Sequence, residues 1–491
     1  MDQCFDVAVI GGGINGCGIA ADASMRGLSV ILLEQDDLAS KTSSSSTKLI
    51  HGGLRYLEQY DFGLVRKALT ERQILLDQAP NLVFARPFVI PFQHALRPAW
   101  LIRAGLFLYD HLSRRNKLPG SKSIYRQSAP QCFLPLKAHI NKGFVFYDCC
   151  TDDARLTLSN ALQAQQHGAR IETQTKVHKA EVIDGLWHLT SGAGQTIRSR
   201  TLINAAGPWV ESVSEQAGIR NQYKISLVKG SHLVVPRLYE GEQAYLLQHE
   251  DKRVVFVIPY HGFTMIGTTD VLFADSPDKL AISADETEYL LDLVERYFKQ
   301  GILREDIITT WSGVRPLLAS SDESPQAMSR DYVFHYSQEP AASVTIYGGK
   351  ITTYRQLARD AVDTLRAVFP ALGESTTDKT PLPGATFGHM AYSDYLVYAR
   401  TRYQWVDKDL LARLLMTYGT RTEQVLAACH SMEDLGEDFG QGLFQREVDY
   451  LMDEEWARDC EDILWRRTKL GLLVGADEVA RLQAYVEMRL R

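Results

Sequence analysis

The stretch that decides the fold is VAVIGGGINGCGIA, residues 7–20. Its Gly11, Gly13 and Gly16 have the spacing G-x-G-x-x-G and follow a short apolar run of strand length, and a helix is predicted over residues 15–26. In such a turn the first glycine permits the tight bend, the second lets a pyrophosphate approach the backbone, and the third lets the helix pack on the strand. Because the helix N-terminus adds unpaired N–H groups and a positive dipole end, the stretch predicts a turn that binds the phosphates of a dinucleotide.

A second buried strand, residues 28–33, closes this unit and is followed by Glu34. Glu34 lies 18 residues after Gly16, where a carboxylate can accept hydrogen bonds from ribose hydroxyls. The glycine motif alone is weak evidence, because a tight βαβ turn without a ligand has the same spacing. Its place between two buried strands with a terminal acid favours dinucleotide binding.

The segments further along the chain indicate which dinucleotide is bound. Residues 153–167 predict a helix, three short alternating strands follow Gly168, and TLINAAGPWV, residues 201–210, predicts a strand that runs into a Gly-Pro turn. A domain that binds only NAD would continue with regular βα alternation. The sequence therefore predicts an α/β fold with an FAD-binding Rossmann-like domain of the glutathione-reductase/D-amino-acid-oxidase type.

The rest of the chain predicts a mainly β second domain and a small α-helical C-terminal domain. Strand-like segments of the second domain occur at residues 226–236, 254–260, 264–269, 332–336 and near Val314. A strand at 344–347 and a helix over about 353–369 return the chain to the cofactor domain. The predicted division is an FAD-binding domain at 1–60, 145–220 and 340–372, a substrate-binding domain at 61–144 and 221–339, a linker at 373–388, and an α-helical domain at 389–491.

Composition and charge exclude several classes of protein. The 491 residues carry a formal net charge of −7, so no global basic field favours nucleic acid. Seven cysteines without a C-x-x-C pair indicate neither a disulfide framework nor a zinc site, so no metal is predicted and a reducing compartment is favoured. We expect no signal peptide, because the chain enters a strand almost at once without a basic segment. The longest apolar run, around residues 98–109, contains Arg103 and is shorter than the roughly 20 residues that span a bilayer.

Seven motifs spread over nearly the whole chain resemble those of one family, the flavin-dependent glycerol-3-phosphate dehydrogenases of the aerobic, quinone-linked type. They are IGGGINGCGIAADASMRGLSVILLE, SSSSTKLIHGGLRYLE, NAAGPWV, KGSHLVVP, IGTTD, SGVRPL and YGGKITTYR. The resemblance implies oxidation of sn-glycerol 3-phosphate to dihydroxyacetone phosphate, with FAD as hydride acceptor and ubiquinone as electron acceptor. It also implies a homodimer that is peripheral on the cytoplasmic face of the inner membrane.

The candidate FAD contacts follow from these motifs. Hydroxyl and N–H groups of residues 40–58 can hold phosphates and flavin edges, and the stretch 348–353, which precedes a helix, can stabilise negative charge on reduced flavin. The candidates are Gly11, Gly13, Gly16, Glu34, Thr42, Ser43, Ser44, His51, Gly52, Gly53, Val177, Ala206, Gly207, Gly349, Lys350 and Thr352.

A phosphate dianion as substrate requires a basic pocket, because arginine forks suit phosphate oxygens. The candidate substrate contacts are Arg55, Tyr56, Arg315, Arg330 and Lys350. Each of these cations has the simpler interpretation of a surface ion-pair partner.

The general base is His51 or His232, since imidazole is the usual base near neutral pH. His232 has the simpler interpretation of a buried core residue, and His51 that of a flavin contact. Arg315 and Lys350 complete the candidate catalytic set, with Arg315 placed to stabilise a developing alkoxide. Asp270 either fixes one of these cations or caps a turn.

Residues 96–117 combine Trp, Leu, Phe and Tyr with five basic residues, a composition suited to docking on anionic phospholipid. The same pattern fits a buried helix with a solvated basic end. The helix over 353–369, with Arg355, Arg359 and Arg366, is a second candidate.

Two other functions fit parts of the pattern. A flavin oxidase of the same fold would act on glycerol phosphate or an amine and pass electrons to oxygen, although the basic pocket disfavours an amine. A non-catalytic FAD-binding or assembly protein would need none of the clustered candidate catalytic residues.

Overall fold

The structure is a computed structural model that describes residues 4–93, 96–192, 194–251, 253–319 and 331–491. One predicted substrate contact, Arg330, lies outside the described residues. The strands are β1 (Cys4–Ile10), β2 (Val30–Leu33), β3 (Leu49–Ile50), β4 (Val83–Pro91), β5 (Lys122–Tyr125), β6 (Lys142–Thr151), β7 (Arg170–Glu172), β8 (Val177–Ile183), β9 (Leu186–Ser191), β10 (Thr196–Asn204), β11 (Ile225–Val235), β12 (Ala244–Gln248), β13 (Val254–Tyr260), β14 (Phe263–Gly267), β15 (Val271–Phe273), β16 (Thr309–Leu318), β17 (Val333–Ser337) and β18 (Ser343–Tyr347). The α-helices are α1 (Ile14–Met25), α2 (Phe62–Gln78), α3 (Ala99–His111), α4 (Pro130–Phe133), α5 (Asp153–Gln166), α6 (Val210–Gln216), α7 (Ala284–Tyr297), α8 (Tyr354–Thr364), α9 (Tyr392–Arg402), α10 (Lys408–Tyr418), α11 (Thr422–Val425), α12 (Gln445–Glu454) and α13 (Ala476–Leu490).

The first sheet has the strand order β17-β18-β10-β1-β2-β7, with parallel pairing from β18 through to β7. The β8–β9–β10 meander is attached to it by antiparallel pairs, as the alternating segments predicted. Helices α1, α5 and α8 contribute to the apolar core that covers β1 and β2. The α/β fold class is confirmed. The prediction that residues 332–336 belong to the mainly β second domain is wrong, because β17 pairs with β18 at the edge of the first sheet.

The second sheet has the order β15-β11-β14-β13-β12-β4-β6-β3, with β16 on β11 and β5 on β6. Helix α7 packs against it through Leu290 and Val294. The predicted domain boundary at residue 145 cuts through β6, which is one continuous strand paired along the whole of β4. The pair of β3 with β6 also brings residues 49–50 into this sheet.

The C-terminal helices α9 to α13 share a separate apolar core, which includes Leu414, Val448 and Leu482. Among the described residues, no helix is both long enough and apolar enough to cross a membrane.

Candidate functional site

A single cavity of about 500 Å³ is lined by both sheets. At one end it is lined by the turn between β1 and α1 and by Glu34, and at the other by residues of β11, β13 and β16. We call these the dinucleotide end and the substrate end. Most of the described residues that the sequence singles out line this cavity.

At the dinucleotide end, neighbouring backbone lies so close to Gly11 and Gly16 that a side chain does not fit at either position. Gly11 has a φ of +113°, and a Cβ on it would lie 2.6 Å from the carbonyl oxygen of Ala205. A Cβ on Gly16 would lie 1.9 Å from the carbonyl oxygen of Gly11, so Gly16 serves the packing of α1 on the turn. Gly13 is the N-cap of α1 and lines the cavity. The turn therefore offers backbone N–H groups to a phosphate and leaves no room for larger side chains.

The buried Glu34 carboxylate is held by two backbone amides. Oε2 accepts a hydrogen bond from Gly12 N at 2.6 Å, and Oε1 accepts one from Asp36 N at 2.9 Å. Burial raises the pKa of Glu34 despite these bonds. Since a carboxylate has about four lone-pair sites, Glu34 retains acceptor capacity for ribose hydroxyls on its cavity side.

The serine-rich segment is fixed to its surroundings by its own side chains. Thr42 Oγ1 donates to the carbonyl of Val314 at 2.8 Å, and Ser43 Oγ accepts from Ile14 N at 2.9 Å. Lys48 Nζ donates to the Ser44 carbonyl at 2.8 Å. It also forms a buried ion pair with Asp153, 2.9 Å from its Oδ1. Sequence reasoning missed the adjacent cavity residues Ser45, Ser46 and Thr47, although their hydroxyls in the same run are the signal that could have found them.

The substrate end collects basic side chains from distant parts of the chain. The Asp270 carboxylate lies between two arginines, 2.7 Å from Arg315 Nη1 and 3.5 Å from Arg55 Nη1. Lys350 Nζ lies 4.1 Å from the centre of the Tyr56 ring. All five residues line the cavity. Because Asp270 pairs with both arginines, it fixes these cations rather than simply capping a turn.

The two candidate bases have different environments. His51 lines the cavity, and its ring contacts Phe256 edge-to-face with centroids 6.1 Å apart. His232 is 1% exposed and stacks on Trp311, and its Nε2 lies 2.9 Å from Thr47 Oγ1. His232 does not itself line the cavity, whereas its neighbour Thr47 does. The Thr47 hydroxyl therefore lies between the His232 ring and the cavity.

The charge state of His232 follows from its surroundings. Burial lowers the pKa of His232 well below its ordinary value, and the cations Arg315 and Lys48 lower it further. Its Nδ1 has no hydrogen-bond partner among the described residues. His232 is therefore neutral at physiological pH and able to accept a proton, but only weakly basic.

The remaining flavin candidates divide into two groups. Gly53, Val177, Ala206, Gly207, Gly349 and Thr352 line the cavity. Gly16, Ser44 and Gly52 are the flavin candidates that do not line it. Gly52 is instead buried against Leu69 and Tyr109, whose hydroxyl accepts from Gly52 N at 2.8 Å. The assignment of direct cofactor contacts to Gly52 and Ser44 thus lacks support from the cavity.

Family models and a solved structure show to which class of enzyme the chain belongs. The family model for FAD-dependent oxidoreductases matches residues 6–355, and the model for the C-terminal domain of alpha-glycerophosphate oxidase matches residues 375–488. A solved glycerol-3-phosphate dehydrogenase from Bacillus halodurans, complexed with FAD, is 25% identical with a TM-score of 0.76 and covers 99% of this chain and 95% of that chain. The chain is thus an FAD-dependent oxidoreductase, and its glycine turn, Glu34 and hydroxyl-rich segment suit that cofactor.

Two relatives narrow the class. A glycerol-3-phosphate dehydrogenase of Pseudomonas aeruginosa is 50% identical over 99% of this chain and 96% of its own length. A D-erythritol 1-phosphate dehydrogenase of Brucella abortus is 45% identical over 95% of this chain and 94% of its own length. The chain belongs to the glycerol-3-phosphate dehydrogenase family.

Proposed function

We propose that the protein oxidises sn-glycerol 3-phosphate to dihydroxyacetone phosphate and passes the electrons to ubiquinone. The observation that carries this proposal is one continuous cavity with a dinucleotide turn at one end and Arg55, Arg315 and Lys350 at the other. Guanidinium groups bind phosphate oxygens through pairs of charge-assisted hydrogen bonds. The substrate end is therefore suited to an alcohol that carries a phosphate.

The reaction removes a hydride from carbon 2 and a proton from its hydroxyl group. Bound FAD supplies the hydride acceptor. The chain must bind the dianion, which we assign to Arg55 and Arg315, and receive the proton. We assign the proton either to His51 directly or to His232 by way of the Thr47 hydroxyl. Thr47 Oγ1 lies 2.9 Å from His232 Nε2.

We further propose that the protein docks on anionic phospholipid through helix α3 and the basic residues after it. Trp100 is 71% exposed and Phe107 is 58% exposed, and Arg114 and Arg115 are exposed just beyond the helix. Exposed aromatic side chains beside basic residues are typical of interfacial helices. The structure thus supports this segment over the interpretation as a buried helix.

The second membrane candidate, helix α8 and its continuation, is poorly suited to lipid. Arg355 is buried in an ion pair with Glu71, with its Nε 2.8 Å from Oε2. Arg359 pairs with Asp360 and Arg366 with Glu374. These cations already have acidic partners, so little charge is left for a headgroup.

The cavity also extends toward helix α3. Its lining includes Arg97, directly before that helix, and Glu58, which accepts from Arg97 Nη2 at 2.8 Å. An acceptor dissolved in the membrane could reach the flavin from this side. From the family resemblance we also propose that the protein is peripheral on the cytoplasmic face of the inner membrane and forms a homodimer. Sedimentation analysis in detergent can test the homodimer.

The deciding experiment is anaerobic addition of glycerol 3-phosphate to the purified yellow protein, with the flavin absorbance band as the readout. Bleaching that is faster with glycerol 3-phosphate than with D-erythritol 1-phosphate supports the proposed substrate, and the reverse order would favour the erythritol phosphate activity of the Brucella relative. Reoxidation by a ubiquinone analogue with little hydrogen peroxide supports the quinone. Rapid peroxide formation would instead indicate the oxidase, and no bleaching by any substrate a non-catalytic protein.

A further inference from the structure

The C-terminal region contacts the loop that follows Glu34 through buried charges. The Asp37 carboxylate accepts hydrogen bonds from Arg466 Nε at 2.6 Å and from Arg467 Nη1 and Nη2 at 2.5 and 2.8 Å. All three side chains are buried. Burial by itself raises the pKa of Asp37, but Arg467 and Arg466 outweigh it and the pKa is lowered. Asp37 is therefore ionised and held from the C-terminal side.

The loop that carries Asp37 forms the outer wall of the dinucleotide end. Ala39 N donates to the Gly12 carbonyl at 3.0 Å, and Glu34 accepts from Gly12 N at 2.6 Å. A Cβ on Gly12 would lie 2.8 Å from both Glu34 Cβ and Leu38 Cδ2, so the loop is packed directly on the glycine turn. A shift of Asp37 would therefore move Glu34 and open the turn.

The same C-terminal segment has a second anchor away from this loop. Glu455 forms a buried ion pair with Arg155 of helix α5, with Arg155 Nη2 2.9 Å from its Oε1. Arg467 also donates to the Glu455 carbonyl at 2.6 Å. The C-terminal region is thus held by ion pairs both at helix α5 and at the loop after Glu34.

We propose that the C-terminal helical region is a clamp for FAD, in which Arg466 and Arg467 hold the Glu34–Ala39 loop closed over the adenosine half of the cofactor. Asp37 acts as a positioning residue, since it acts on the ribose through Glu34 and the loop. Release of FAD requires the loop to move, and that motion breaks buried charge-assisted hydrogen bonds. The proposal rests on FAD as cofactor and not on the substrate or the electron acceptor.

The test is the rate of FAD release from the holoenzyme, followed by the rise in free-flavin fluorescence after dilution. Asp37→Asn should accelerate release by about tenfold or more, because it weakens the charge-assisted hydrogen bonds that order the loop. The matched control is Glu455→Gln, which breaks a buried ion pair that joins the C-terminal region to helix α5. It should lower the thermal stability at least as much and change FAD release by less than about twofold. Its side-chain partner Arg155 is not on the loop, and the substitution keeps the backbone carbonyl that accepts from Arg467.

Arg466→Gln is a second variant for the case in which Asp37→Asn does not fold, because it leaves the two bonds from Arg467 in place. Flavin reduction by substrate should stay near the parent rate in the Glu455→Gln control saturated with FAD. Unchanged release from the folded Asp37→Asn or Arg466→Gln protein would overturn the clamp. Equal acceleration by Glu455→Gln would also overturn it, because that result indicates general loosening of the C-terminal region.

Discussion

The two ends of the cavity are built in different ways. The dinucleotide end consists largely of backbone, since Glu34 is held by amides of Gly12 and Asp36 and the turn is closed by glycine contacts. The substrate end consists of charged side chains, with Asp270 between Arg55 and Arg315. A backbone site has one geometry that few substitutions can alter, whereas a side-chain site can change its specificity by single substitutions.

The largest effect should come from the substrate end. Arg315→Met removes a candidate phosphate or alkoxide contact and leaves the buried Asp270 with one fewer cation. We expect kcat/KM for glycerol 3-phosphate to fall by about 100-fold or more, the upper range for a lost hydrogen bond to a charged group. The measurement is steady-state kinetics with a soluble dye at saturating FAD. Arg237→Met, which removes an exposed partner of Glu240, is the control, and an equal loss there would mean that the assay reports folding.

The proposed docking surface, helix α3 and the basic residues after it, lies outside both ends of the cavity. Removal of its charges should therefore weaken membrane binding without slowing the reaction. Replacement of Arg114 and Arg115 by Gln should weaken binding to anionic vesicles by up to about 30-fold, at roughly 1 kcal/mol per charge. Activity with a soluble dye should persist. Arg359→Gln with Arg366→Gln is the control, and loss of vesicle binding in this pair alone would move the docking surface to α8.

At the dinucleotide end, Glu34→Gln should weaken FAD binding by about tenfold, because an amide is a poorer acceptor than a carboxylate for ribose hydroxyls and for Gly12 N. The kcat at saturating FAD should stay within about twofold, since that end does not contact the reacting carbon. Isothermal titration of the apoprotein with FAD gives the affinity. Asp36→Asn removes a neighbouring charge that pairs with Lys41 and should leave the affinity unchanged. We expect acid to release the flavin, and flavin retained after acid treatment would contradict non-covalent binding.

The smallest effect concerns His232, behind the substrate end. Its folded-state pKa is lowered by burial, then by Arg315 and Lys48, so below about pH 6.5 the unfolded chain binds a proton that the folded chain does not. His232 therefore lowers the free energy of unfolding by about 1 kcal/mol as the pH falls from 7.5 to 5.5. Urea unfolding at the two pH values should show a shallower decline in the free energy of unfolding for His232→Gln than for the parent protein. Identical declines in the two proteins would mean that folding does not lower the pKa of His232.

The local part of the fold could be predicted because its signals are contiguous. The helix expected at 15–26 is α1, and the helix expected at 153–167 is α5. The second sheet was harder, because the boundary at 145 falls inside β6 and the strand at 332–336 pairs with β18. Periodicity shows that a segment is a strand, but its partner depends on long-range packing.

The same limit applies to the site. Gly11, Gly13 and Glu34 were predictable, because the glycine spacing and the acid lie within one βαβ unit and the backbone brings them together wherever that unit forms. The position of His232 behind Thr47 was not predictable, although Thr47 lies in the motif SSSSTKLIHGGLRYLE and His232 in the motif KGSHLVVP.

The sequence by itself determined a dinucleotide turn, an FAD-type order of elements and a set of basic residues suited to a phosphate. Only the tertiary structure decided that Asp270 lies between Arg55 and Arg315, and that Arg466 and Arg467 hold Asp37 more than 400 residues away along the chain. The reason is physical. Hydrogen bonding within a turn depends on neighbours a few residues apart, whereas a buried ion pair forms only where the packing of whole sheets and helices brings both charges out of water together.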